Sequence, residues 1–475
     1  MVPWIAAAIL FALLVLVDAA AIRSLDGGPG LAPWLQAAWR HRHGGAGTPL
    51  GGPDPIMRSW SFVAWPLVAL TRLIPATAVF VVVQAGAIAL GVVPLWRLAR
   101  REAELRVGAS TAVLGAYALA PTLQRTNLSA FHPEVIALPA LLAAFLCARR
   151  RWWRRYVVLI GLVLLCRADL GLTVATLGLL LMVDGRRRAG VLTAAAGAAW
   201  TAAALVILRP GFPSGRLSPA AQFVARSTTP LAALTRLVSH PLAELHDLFA
   251  EPSLVFLVLV FAPLLFLPLV APRYLSPALP SLALAMLADR AVQRASGRAL
   301  PADSSSLAAH IAPAMAFVFI ATTFALSRMG RRSVARINVD HRLLLALTAS
   351  ALVFFATDSP TSPYQRPWGW GGRDDVDEAR LAALAGVARR TPIAVSPELT
   401  ASAAGRPAVT ELVGPTVTAR SLPRSTRAIV LDTTGVDGSG RPLWSDRRRR
   451  ATERALTTAG FQIVSSRAGI VTLLR

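Results

Sequence analysis

The chain contains no lysine: all 49 of its basic residues are arginine, set against 25 acidic ones. Every cationic contact therefore falls to a guanidinium, a permanently charged planar fork. Charge of either sign is scarce. Only 16% of the 475 residues are charged, where a soluble globular domain carries nearer a quarter. With 55% hydrophobic residues and a mean hydropathy of +0.54, this shortage excludes a disordered chain and an ordinary water-soluble enzyme. Cysteine is nearly absent as well. Cys147 and Cys166 both fall inside apolar runs, so no disulfide framework is implied and both read as small buried hydrophobes. No Walker-type glycine loop occurs, so ATP-driven transport by this chain alone is not expected.

What is there is a set of long apolar runs punctuated by arginine. A pI near 11.7 would suit a nucleic-acid binder. The arginines lie between apolar runs rather than on one basic face, so nucleic acid is not an expected partner. Through residue 357 there are 32 arginines against 14 acidic residues; beyond it there are 17 against 11. The clusters at Arg97–Arg101, Arg149–Arg155, Arg186–Arg188 and Arg328–Arg336 mark the cytoplasmic side of a membrane protein.

A spanning helix needs roughly 20 mostly apolar residues. Pro3–Ile22 meets that length and lacks a basic segment before it, so it reads as a retained first helix entering from the cytoplasm. Residues 23–58 form an outer loop, and Ser59–Ile74 an interfacial helix. Further spans are read at Ala76–Leu98, Val107–Pro121 and up to Ala148, with an outer loop at Thr122–Glu134. Others follow at Gly190–Leu208, in a Pro-rich pair across 253–288, at Leu307–Leu326 and at Leu343–Thr357. Residues 209–252 and the serine-rich linker Asp303–Ser306 are read as outer segments.

Between two arginine clusters, residues 156–184 are interrupted by Arg167-Ala168-Asp169. They read as two short helices with the charged triplet at the tip. Arms of ten to fourteen residues reach roughly 15–21 Å, short of a ~30 Å hydrocarbon core. The tip therefore belongs in a water-filled or protein-lined cavity opening outward. The expected fold is mostly α: residues 1–357 form a polytopic membrane helical bundle of about eleven membrane segments. Residues 358–475 alternate helical patterns (374–390 and 446–459) with short β-like runs at Ile393–Ser396, Ala428–Asp432, Gln462–Ser465 and Ile470–Leu474. They read as a small extracytoplasmic α/β domain, large enough to own a core.

Charged groups at membrane depth are expensive and mark candidate sites. Arg167 suits a phosphate and Asp169 a hydroxyl or metal; alternatively the two form a local ion pair capping the hairpin. His132 and Glu134 flank Pro133 at a helix start, placed for cation binding or acid–base work, or for a simple cap. Asp26 follows the first helix, where a carboxylate serves as general base or as a turn residue. His41 and His43 read as exposed. His310 opens an apolar run as a cavity-lining or helix-end group. Asp432-Thr433-Thr434-Gly435 follows an apolar strand and reads as a strand-end turn; Arg447–Arg450 reads as a solvated face or a contact for anionic lipid heads. No zinc-type spacing such as H-E-x-x-H occurs, so no metal ligand is assigned.

Several of these elements resemble a bacterial membrane-protein family, domain of unknown function 2079. Phe131-His132-Pro133-Glu134, with Pro139 beyond, looks like its Phe-His-Pro-acidic element, and Arg167-Ala168-Asp169-Leu170-Gly171-Leu172 like its Lys-Glu-Asp-x-Gly-Leu element. Gln36-x-x-Trp39 resembles its first outer loop, Pro263–Pro280 its Pro-rich helix pair, His310 its His-aromatic position and Ala428–Asp432 its late strand. The family's architecture is similar to the GT-C membrane glycosyltransferases. The resemblance implies transfer of a sugar from a polyprenyl-phosphate donor at the outer face. Asp26 would then be the base, Arg167 and Arg125 donor-phosphate ligands, and Gln36, His132, Glu134, Asp169 and His310 substrate-binding groups. The family's acidic residue six before the Gln falls on Gly30, and its hairpin Glu on Ala168. No cofactor is expected beyond an admitted divalent cation, and the expected partners are membrane lipids and the donor. The competing readings are a lipid or solute transporter and a non-catalytic cell-envelope assembly protein.

Overall fold

The structure is a computed structural model that describes residues 1–25, 29–44, 50, 55–56, 60–207, 239, 251–286, 310–333, 336–364, 372–412, 422–435 and 444–475. The outer segments 209–252 and 303–306, apart from Ser239 and the start of the helix at Glu251, lie outside the described residues. The fold is mostly helical, with a five-stranded sheet near the C-terminus.

Thirteen helices of seven or more residues are described before that sheet domain. They are α1 (Val2–Arg23), α2 (Ala32–His43), α3 (Ala64–Leu70), α4 (Ala76–Glu102), α5 (Val107–Ala118), α6 (Pro121–Ser129) and α7 (Ala137–Arg149). Then come α8 (Trp153–Cys166), α9 (Leu170–Val183), α10 (Arg187–Ile207), α11 (Glu251–Phe261), α12 (Ala312–Met329) and α13 (His341–Asp358). Among the described residues, four of these are long and apolar enough to cross a membrane: α1, α4, α12 and α13. That corrects the expectation of about eleven membrane segments.

The reason lies in proline and charge. α5 begins after Arg106 and stops at Ala118, because Pro121 opens a new helix; its 12 residues span about 18 Å. Residues 121–129 are thus a helix and not part of an outer loop, and they bury Thr122, Gln124, Thr126 and Asn127. Pro263, Pro268, Pro272 and Pro277 each remove a backbone donor. Beyond α11 they cut the expected helix pair into single turns.

α12 is buried over its whole apolar length, from Ala312 to Leu326, and is the centre of the bundle's core. The peripheral helices show the opposite pattern. α1 exposes Ile5, Ile9, Leu13 and Leu16, and α13 exposes Leu345, Leu352 and Val353. Apolar stripes of this extent are surfaces for lipid rather than water. α9 and α10 meet through glycine: an added Cβ on Gly178 would lie 2.4 Å from the Ala194 nitrogen, and one on Gly197 2.4 Å from the Gly171 carbonyl oxygen. Such small-residue seams let two backbones approach closely.

The bundle has two chemically different ends. At one, Glu102 pairs with Arg150 (2.7 Å) and Arg149 (3.4 Å), while Asp184 gathers Arg149, Arg186 and Arg273. A two-stranded ribbon, β1 (Arg331–Ser333) and β2 (Arg336–Asn338), joins this end through Ile337, whose carbonyl accepts from the Arg106 amide. At the other end sits the C-terminal sheet. Its strands β3 (Ile393–Val395), β4 (Val409–Glu411), β5 (Ala428–Asp432), β6 (Gln462–Arg467) and β7 (Ile470–Leu474) lie in the order β4-β3-β5-β7-β6. The β4-β3-β5 pairs are parallel and the β5-β7-β6 pairs antiparallel. β5 is buried along its length, with one core on each face of the sheet, covered by α14 (Asp375–Ala385) and α15 (Asp446–Thr458). The edge strand β4 carries no signal in the sequence pattern. Asp432 ends β5 in a turn, accepting from the Thr434 amide and pairing with Arg380 at 2.8 Å.

The sheet domain touches the bundle through α2, which packs on the short helix Thr400–Ala403, and through the Arg373 side chain, which donates to the Arg23 carbonyl at 3.1 Å. α4 links the two ends: Phe80 near its start packs with Trp34 of α2, and Glu102 at its last turn meets the arginines.

The α9–α10 seam generates the first prediction. Gly178→Val should destabilise the purified protein by about 3 kcal/mol, the upper end of an overpacking cost, because the opposing atoms are backbone. Thermal unfolding in detergent measures it; Gly161→Val, where nothing lies within 4 Å of the added Cβ, is the comparison.

Candidate functional site: a buried charge cluster

The helical hairpin forms as its sequence requires. α8 ends at Cys166, Arg167 turns extended (φ −164°, ψ 148°), and α9 starts after Asp169. Asp169 holds the N-cap position, yet its carboxylate does not cap the helix. It turns back to Arg167 and accepts two parallel hydrogen bonds, from Nε at 2.5 Å and from an Nη at 2.8 Å. The tip is lined by protein, with Arg167 1% and Asp169 2% exposed.

Two distant segments close over it. His132 is extended and precedes the 3₁₀ turn Pro133–Ile136, where Pro133 occupies the first position. The Glu134 carboxylate leaves its helix end and accepts from Arg167 at 2.7 Å. His310, in the turn before α12, brings Nδ1 within 2.7 Å of the same Glu134 oxygen, and its carbonyl accepts from Arg167 at 3.2 Å. His132 Nδ1 stands 3.6 Å from that oxygen, and its Nε2 lies 3.2 Å from Ser129 Oγ. Five of the candidate residues, His132, Glu134, Arg167, Asp169 and His310, therefore share one cluster. His310 is its most accessible member, with 23% of its side chain exposed.

With neutral imidazoles the cluster holds one guanidinium and two carboxylates, a net charge of −1. Isolated, each ion would be costly at this depth; paired and hydrogen-bonded they persist. The arrangement can bind a further proton or a cation, and four of the Arg167 hydrogen bonds already reach protein acceptors.

The other candidates fall elsewhere. Asp26 lies outside the described residues. Gln36 is fully buried on α2, where its side-chain carbonyl accepts from the Leu50 amide; no hydrogen bond among the described residues joins it to the cluster. Arg125 donates twice to the Asp358 carbonyl, at 2.9 and 3.3 Å, and so anchors the end of α13. His43 stacks on Trp39 in the last turn of α2, and His41 is exposed there.

Sequence reasoning missed two polar residues beside the cluster, Gln84 and Asp18. Gln84 on α4 donates to the Asn127 and Ala130 carbonyls at 2.8 and 2.6 Å and accepts from the His132 amide at 2.7 Å, which fixes the segment carrying His132. Asp18, buried on α1, accepts from Asn127 at 2.8 Å, while its second oxygen and the Asn127 side-chain oxygen have no hydrogen-bond partner among the described residues. These groups line a cavity of about 30 Å³, walled by Phe80 and Phe131. The available signal was a lone polar residue in each apolar helix, Asp18 and Gln84, which the hydropathy of the run conceals.

Fold and cluster together define a helical membrane protein with a buried polar site at the sheet-domain end of its bundle. The chain belongs to the family described as Predicted membrane protein (DUF2079), whose model matches residues 60–471. No match to a curated protein is found.

Removing the central cation leaves two buried carboxylates uncompensated. Arg167→Met should cost about 3–5 kcal/mol of stability. Arg125→Ala, which loses bonds to one backbone carbonyl, should cost about 1 kcal/mol. Unfolding of the two variants in the same detergent checks the contrast.

Proposed function

We propose that the protein is a GT-C-like glycosyltransferase that takes a sugar from a polyprenyl-phosphate donor and passes it to a cell-envelope acceptor. The observation that carries the reading is the five-residue cluster of His132, Glu134, Arg167, Asp169 and His310, held at the end of the bundle that bears the sheet domain. In this proposal the arginine-rich end faces the cytoplasm, following the positive-inside rule, and the sheet domain is extracytoplasmic. Asp26 is the general base toward the acceptor hydroxyl. Arg125 meets the donor phosphate, and Arg167 keeps Glu134 and Asp169 oriented as walls of the site with His132, His310 and Gln36. The donor's lipid tail lies along the exposed apolar faces of the helices.

A second reading, a non-catalytic cell-envelope assembly protein, draws on a different observation: the sheet domain has a core on each face, and both carboxylates of the cluster are hydrogen-bonded to Arg167.

Reconstituted protein supplied with radiolabelled polyprenyl-phosphate sugars separates the two. The proposal expects label transfer to an envelope acceptor fraction, falling at least about 100-fold in Asp26→Asn while folding is retained. Absence of transfer across a panel of donors favours the assembly reading. Movement of intact donor across the bilayer points instead to a transporter.

A further inference from the structure

We infer that His132, Glu134 and His310 form a binding site for one divalent transition-metal ion, and that zinc is the ion their chemistry suits best. The inference goes beyond sugar transfer and stands whether or not that reaction occurs. It was hidden from the sequence because His310 lies 176 positions from Glu134, so no local spacing announces the trio.

The three side chains supply two imidazole nitrogens and one carboxylate oxygen, all within 4.8 Å of one another. Two imidazoles select borderline metals such as zinc over magnesium or calcium, which take oxygen ligands. Three protein ligands with a fourth position open is the pattern of a reactive zinc site, and two histidines with one glutamate is one of its recurring ligand sets. A tetrahedral ion with bonds of about 2.0–2.1 Å holds its ligand atoms about 3.3 Å apart. The Glu134 oxygen now stands 3.6 Å from His132 Nδ1 and 2.7 Å from His310 Nδ1. The first spacing is close to that value, the second is shorter, and the two imidazoles lie within 4.8 Å of each other, so binding draws the more exposed His310 ring off Glu134 and toward His132.

The outer shell is also in place. Ser129 Oγ lies against His132 Nε2, which leaves Nδ1 facing the site, and Arg167 holds the Glu134 carboxylate. Such contacts fix the tautomer and direction of metal ligands. Arg167 spends two parallel bonds on Asp169, so the charges of that pair cancel and Glu134 is the carboxylate left for a cation. A dication converts the cluster from −1 to +1, and an anionic oxygen in the open position restores neutrality. Hydroxide and a phosphate oxygen both fit that requirement.

The test uses the full chain in detergent with no histidine tag, stripped with a chelator. Zn²⁺ and Co²⁺ are then added under metal-free conditions, with elemental analysis for stoichiometry and visible absorption for Co²⁺ geometry. The expected result is one metal per chain, with the absorption of four-coordinate Co²⁺. His310→Ala and His132→Ala should each weaken binding by about 100-fold, and Asp169→Asn, acting through Arg167, by about 10-fold. The exposed pair variant His41→Ala with His43→Ala should bind as the parent does. His310→Cys guards against misfolding of the alanine variants: it should keep one Co²⁺ and add a thiolate charge-transfer band. No stoichiometric metal on the parent protein overturns the inference, as does metal that survives both alanine variants or that leaves with His41 and His43.

Discussion

The organising constraint is the cost of burying Arg167. A guanidinium with 1% exposure at the end of a helical hairpin demands anionic partners, and it obtains them from Asp169 two residues on and from Glu134 in another segment. That demand fixes more than a pair. It holds the Pro133–Ile136 turn against the α8–α9 tip, and through His310 it brings the start of the central helix α12 to the same point. Gln84 then secures the segment between α6 and His132 from the far side. A single buried charge thus sets the relative positions of segments separated by as many as 176 residues.

Two ends of opposite character follow from the same physics. Where arginine collects in excess, the few acids are shared: Asp184 contacts three arginines and Glu102 two. Where the apolar runs end without such clusters, the polar groups turn inward into one cluster and one small cavity, beneath a domain that packs on α2. The excess positive charge collects at one end of the bundle, while the buried cluster lies at the other. Arg167 belongs to the second group, as its distance from the arginine clusters in the sequence indicates.

Much of this is legible in the sequence alone. The interruption Arg167-Ala168-Asp169 between arginine clusters specified a short-armed hairpin, and α8 and α9 have 14 residues each. Alternation of polar helix and short apolar strand located β3, β5, β6 and β7; β4 escaped because Val409-Thr410-Glu411 carries a single apolar residue, where β3 is apolar throughout. The span count was not legible. Hydropathy sees the run from Val107 to Pro121 as one crossing, whereas α5 stops at Ala118 and Pro121 opens a separate helix, whose polar Gln124 and Asn127 find partners only in the folded bundle. The cluster was half visible: His132-Pro133-Glu134 and Arg167–Asp169 stood out as charges in apolar surroundings, but their mutual contact and the arrival of His310 are tertiary facts. Asp18 and Gln84 were masked by the hydropathy of their own helices.

Glu134 and Arg167 act as one energetic unit. A double-mutant cycle with Glu134→Gln and Arg167→Met, read by reversible unfolding in detergent, tests this most directly. The prediction is a coupling energy of about 2–3 kcal/mol, with the double variant far less damaged than the sum of the singles. Additive effects, within about 0.5 kcal/mol, would contradict the account.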